Sequence, residues 1–131
     1  TDKALKYLYD FNEIFPDSKH RADADAKILE MRGKLARKLI SSAQLYDTLR
    51  EYESAIYYYD SVIDEYADTK FYSAARLGKA GDMVALERWS EARELMNSLA
   101  VKGREDLDPK ELEVLGTLGE QVNAATEVSG N

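Results

Sequence analysis

The chain has 131 residues, the size of one ordinary domain, with 44% hydrophobic and 33% charged residues and a formal charge of −7. That balance, with nine tyrosines and three phenylalanines to fill a core, excludes a disordered or fibrous chain. The absence of cysteine excludes disulfides, thiolate metal sites and cysteine catalysis, and no run approaches the roughly 18 apolar residues of a membrane span. Charge is uneven: residues 1–50 hold ten Lys/Arg and eight Asp/Glu, net +2, whereas residues 51–131 hold eight and seventeen, net −9. An acidic second half cannot wrap a phosphate backbone, so nucleic acid is not an expected partner.

Residues 2–15 place Leu5, Leu8, Phe11 and Phe15 on one face of a short helix, which Pro16, Asp17 and Ser18 then stop. From 20 to 49 no proline intervenes, and Ile28, Met31, Leu35, Leu39, Ser42, Tyr46 and Leu49 keep helical spacing. At about 1.5 Å per residue that helix is roughly 45 Å long. Gly33 weakens it by about 1 kcal/mol relative to Ala, and a closely packed neighbour is the expected reason.

A break near Arg50 and Glu51 precedes a helix over 53–66, striped by Ala55, Ile56, Tyr59, Val62, Ile63 and Tyr66. Ala67, Asp68 and Thr69 end it, and a helix over 71–86 follows with Leu77, Ala80 and Val84 on one side. Ser90 reads as the N-cap of a helix over 90–101, closed by Gly103. Asp108-Pro109-Lys110-Glu111 joins a capping residue, a proline at the first helical position and an acid three after the cap. It should open a last helix over 109–122, whose Leu112, Leu115 and Leu118 favour packing on the preceding pair. Residues 124–131 are expected to form a flexible tail. Nothing reads as strand. The expected class is all-α, a single domain over 1–123.

The helices repeat. Ala43, Tyr46, Leu49, Tyr52 and Ala55 recur 37 residues later as Ala80, Met83, Leu86, Trp89 and Ala92. Each set describes a helix that ends, an aromatic after the turn, and an alanine that lets the next helix approach closely. Ala4, Leu8 and Pro16 take the places of Ala55, Tyr59 and Ala67 across the longer intervening helix. This pattern resembles the tetratricopeptide repeat, although Ala67 stands where that family prefers proline and no glycine precedes Tyr52. The resemblance implies antiparallel helical hairpins in a short right-handed solenoid.

Over residues 2–100 a narrower resemblance emerges. The Phe15–Ser18 turn, the long helix with RGKLARK in mid-course, the aromatic hairpin tip and the VIDEYADT segment are similar to the C-terminal repeats of the BamD (YfiO-like) family. These are lipoproteins of the outer-membrane β-barrel assembly machine. The resemblance implies a non-enzymatic scaffold without cofactor, at the periplasmic face of the bacterial outer membrane. Its implied partners are the POTRA domain of a BamA-like insertase and other lipoproteins of the machine. Membrane contact would come only from a lipid anchor outside this chain, and the start at Thr1 suggests a processed or excised segment. The family's interface arginine aligns with Tyr58, so its salt bridge does not carry over.

The partner-binding candidates are Arg50, Glu53, Tyr57, Tyr58 and Asp64. Successive helical residues turn by about 100°, so Tyr57, Tyr58 and Tyr59 cannot all face inward, and exposed tyrosine is enriched at interface hot spots. Tyr59 belongs to the buried stripe; Tyr57 or Tyr58 either meets a partner or covers flanking helix. Asp60, Asp64, Glu65 and Asp68 read as a solvated acidic surface, able at most to steer a basic partner. Lys27, Arg32, Lys34, Arg37 and Lys38 form a basic band, read as solvated or internally paired. His20, the only histidine, reads as a surface or cap residue, Trp89 as hairpin-tip core, and Met31, Met83 and Met96 as core filling. No catalytic, metal or cofactor residues are assigned. The alternative function is an unrelated repeat module binding a peptide segment in its concave groove.

Overall fold

A computed structural model describes residues 2–14 and 20–128, with six α-helices and no strand among them. These are α1 (Asp2–Ile14), α2 (Arg21–Thr48), α3 (Tyr52–Glu65), α4 (Tyr72–Ala85), α5 (Trp89–Val101) and α6 (Pro109–Val128). A single 3-10 turn, Arg104–Asp106, precedes α6. α2 packs along α1, short turns lead each helix from α3 to α5 back along its predecessor, and α6 packs on both α4 and α5. The fold is all-α, of tetratricopeptide-like helical hairpins.

The 37-residue repeat extends into backbone geometry. Arg50 and Glu87 both adopt φ 60, the left-handed conformation that reverses the chain after α2 and after α4. The amides of Glu51 and Arg88 donate to the carbonyls of Tyr46 and Met83 at 2.9 and 2.8 Å, closing equivalent helix ends. The alanines Ala43, Ala55, Ala80 and Ala92 are all fully buried, as close helix contact requires. One core, around Ala36, Ile40, Tyr59 and Val62, joins α2, α3 and α4. The other, around Leu77, Met83, Met96, Leu99 and Leu118, joins α4, α5 and α6.

Several boundaries differ from expectation. α3 and α5 start at Tyr52 and Trp89, one residue early, so Ser90 lies inside α5 and Arg88 holds the N-cap position. The left-handed turn residue sets these starts, and no side-chain cap is needed. The Asp108 capping box forms as predicted: the Glu111 amide donates to Asp108 Oδ1 at 2.7 Å, and the Asp108 amide to Glu111 Oε1 at 3.0 Å. α6 then runs to Val128, so residues 124–128, expected in the tail, are helical. Val122 is buried, and Arg93 donates to Asn123 Oδ1 at 3.2 Å and Thr126 Oγ1 at 2.7 Å, holding the extra turns on α5. The expected turn at Phe15–Ser18 lies outside the described residues.

On α2 the buried positions are Ala24, Ile28, Ala36, Ile40 and Ala43, so of the expected stripe of larger side chains Ile28 alone is buried. Small residues line the contact because neighbouring helices approach closely there; Leu35, Leu39 and Tyr46 flank it half-buried, and Leu49 is exposed. Gly33 does not answer to a tight neighbour either, since a Cβ there would meet the Phe71 ring only at 4.0 Å. The close approach is at Gly78, where a Cβ would collide with the Tyr59 ring.

Candidate partner-docking face

α3 turns an outward ridge to solvent. At 100° per residue Glu53, Tyr57 and Asp64 fall within a 40° arc, and all three are exposed, Tyr57 at 68%. Tyr58 sits on the flank toward α2, half-buried, its ring stacked on Tyr46 with centroids 5.4 Å apart and planes at 12°. The Tyr57 ring meets Tyr58 edge-on, again at 5.4 Å. Three rings from two helices thus form one continuous aromatic surface, in the offset and T-shaped arrangements that ring quadrupoles favour.

Leu45 and Leu49, one helical turn apart at the end of α2, are exposed at 58% and 59%. Sequence reasoning missed this extension, because Tyr46 and Leu49 keep the spacing of a buried stripe. The available signal was helix length. The 13 residues of α1 reach about 20 Å back from the start of α2 and stop short of Leu45.

Arg50 stands at the tip of the α2–α3 turn in its left-handed conformation. Glu53 reaches Arg88 at 3.9 Å, tying this face loosely to the α4–α5 turn. All five candidates therefore lie on or beside one hairpin. Of the acidic set, Asp60 pairs with Lys79 at 2.6 Å and Asp68 with Arg32 at 2.9 Å, so both brace the fold. Asp64 and Glu65 remain on the surface. Of the basic set, Lys27 and Lys34 both pair with Glu30. Arg32 also donates to the Tyr9 hydroxyl at 3.4 Å and to the Glu65 carbonyl, and lies over the Tyr66 ring. The Asp68 hydrogen bond, with the Tyr9 hydroxyl behind it, holds the Arg32 guanidinium above its ordinary range, and Arg32 in turn holds the Asp68 carboxyl below its own. His20 occupies the N-cap position of α2, where its carbonyl accepts from the Ala24 amide at 3.0 Å.

Behind the face lies a buried polar group that periodicity did not reveal. The Tyr59 hydroxyl donates to Asp47 Oδ2 at 2.7 Å, through the space Gly78 leaves open. Asp82 on α4, 3% exposed, lies close enough to Asp47 for its pKa to be raised by it. Asp47 Oδ1 and Asp82 Oδ2 are both buried without a hydrogen-bond partner, and a proton held between the two carboxyls would satisfy both. Burial first, then the neighbouring Asp47 carboxylate, pushes the Asp82 carboxyl up to about 9. Burial and the same Asp47 carboxylate also raise Tyr59. The group pins α2, α3 and α4 together. A second buried anchor, Arg76, donates to the Lys102 carbonyl at 2.8 Å and stacks on Tyr72, fixing the end of α5.

Among the described residues no helix is long and apolar enough to cross a membrane, and no group of three His, Cys, Asp or Glu could hold a metal ion. Among the described residues, two surface grooves lie away from the aromatic face, one on the N-terminal half of α2 and one between α5 and α6. No individual curated protein sequence matches the chain. A family model described as "YfiO: Outer membrane lipoprotein" matches residues 1–93, from α1 into α5, and so takes in the whole aromatic face. With the helical hairpins, the left-handed turns and that match together, the chain belongs to the YfiO family of outer membrane lipoproteins.

Proposed function

We propose that this chain is a non-enzymatic scaffold of the outer-membrane β-barrel assembly machine. It docks through the α2–α3 hairpin on the POTRA domain of a BamA-like insertase, at the periplasmic face of the membrane. Family membership supports the setting. The observation that carries the docking surface is the stacked Tyr46–Tyr58–Tyr57 array beside exposed Leu45 and Leu49. Rigid, partly exposed aromatics lose little conformational entropy on binding and dominate interface energetics. Glu53 and Asp64 flank Tyr57, and they would meet basic side chains on the POTRA domain. An aromatic contact framed by acids stands in place of the family's arginine salt bridge.

Calorimetric titration with the membrane-proximal POTRA domain of the cognate insertase tests this. One-to-one binding is expected at micromolar affinity or tighter. Tyr57→Ala should weaken it about tenfold, near 1.4 kcal/mol, as truncation of an interface anchor does, with an unchanged melting temperature. Tyr57 is the cleaner probe, because Tyr58 also packs on Tyr46 within the fold. Equal affinity of wild type and Tyr57→Ala would remove this face from the interface.

A further inference from the structure

The groove on the N-terminal half of α2 has a volume of about 510 Å³ and two walls. One wall is α2 from Ala26 to Arg37, about 16 Å long; the other is the turn from Asp68 to Phe71 that joins α3 to α4. Its floor is apolar: Leu29, 48% exposed, the face of Phe71, and Gly33, which leaves the ring uncovered. The anions at its edge are already neutralised, Glu30 by Lys27 and Lys34, and Asp68 by Arg32. The cations are not. Arg37 on one wall and Lys70 on the other have no carboxylate partner among the described residues. Lys70 leans over the Phe71 ring at 5.4 Å.

We propose that this groove binds an extended acidic segment of a partner protein, about five residues long, that seats an apolar side chain between Leu29 and Phe71 and sets its carboxylates against Arg37 and Lys70. The length follows from the 16 Å wall at about 3.3 Å per extended residue. The charge follows from two unmatched cations across an apolar floor, in a molecule whose net charge is −7. Peptide fits better than an anionic lipid surface. The rim mixes donors with acceptors in a cleft, whereas a bilayer needs an open polybasic patch and repels an acidic protein. The groove is separate from the aromatic face, and the inference does not rest on POTRA docking.

Selection of heptapeptides from a displayed random library on the 131-residue chain tests it, followed by fluorescence anisotropy with one enriched peptide, end-blocked and labelled. Enriched sequences should place Asp or Glu beside Leu, Ile or Phe, with binding that weakens as salt rises. Gly33→Leu, which fills the floor, and the Arg37→Glu/Lys70→Glu double variant should each raise the dissociation constant at least tenfold, with helix content unchanged. Tyr57→Ala should bind as wild type. The proposal is overturned by selection without acidic enrichment, by equal affinity of the groove variants, or by peptide binding that Tyr57→Ala abolishes. It is equally overturned if the double variant loses binding only to phosphatidylglycerol vesicles, which would make the cations a membrane contact.

Discussion

The two hairpins share a 37-residue repeat yet are inverted at one register. Leu45 on α2 is 58% exposed, and its equivalent on α4, Asp82, is 3% exposed. An apolar side chain stands in water where the first hairpin has it, and a carboxyl stands in the core at the same place in the second. The neighbours decide this. Asp82 meets Asp47, with the Tyr59 hydroxyl on that carboxylate's far oxygen, whereas α1 ends before it can cover Leu45. A repeat therefore prescribes backbone geometry more strictly than burial. The first hairpin leaves apolar side chains exposed, and the second, overlaid by α6, spends the same positions on internal cohesion.

The seam between the hairpins should respond most strongly. Gly78→Ala sets local propensity, which gains about 1 kcal/mol, against a collision with the Tyr59 ring. The collision should win, with a net loss of about 2–3 kcal/mol in urea unfolding, since overpacking also disturbs the Tyr59–Asp47 bond. Stabilisation by this substitution would mean that the seam is loose.

Asp82 tests the inversion directly. Its carboxyl stays protonated in the folded protein up to about 9 but ionises near 3.8 when unfolded, so folding takes up a proton. That contribution is complete below about 4 and declines as pH rises through 9, giving stability that falls with pH across this window. Asp82→Asn keeps a donor toward Asp47 and removes the titration. It should gain on the order of 1 kcal/mol at pH 8 and flatten the profile, measured by melting between pH 4 and 9. A pH profile identical to wild type would refute the shared proton.

The turns should give an effect of similar size. Glu87 holds φ 60 without being glycine, so Glu87→Gly should raise stability by about 1 kcal/mol in urea unfolding. The surface end of the inversion should give least: Leu45→Asp should change stability by no more than about 0.5 kcal/mol, as exposed substitutions do. A loss above about 2 kcal/mol would show Leu45 to be covered.

Of the aromatic face, Tyr59 as buried and an exposed tyrosine at Tyr57 or Tyr58 were legible from helical rotation, because three consecutive tyrosines cannot share one side; that Tyr57 is the exposed one was not. The stacking of Tyr46 on Tyr58 was not legible, since it joins two helices whose relative placement no spacing encodes. Asp47, Asp82 and Arg76 were equally silent. Composition treats a charged residue as exposed, and burial becomes favourable only once a partner from another helix arrives.

The sequence by itself determined what is local: six helices, the Asp108 capping box, the 37-residue period and the family pattern, all set within a few residues by propensity, capping and side-chain spacing. Only the tertiary structure decided which glycine admits a neighbour's ring, which acids turn inward, where α6 ends and which apolar residues stay in water. Each of those depends on what a second helix places within a few ångströms, and a one-dimensional pattern carries no record of that distance.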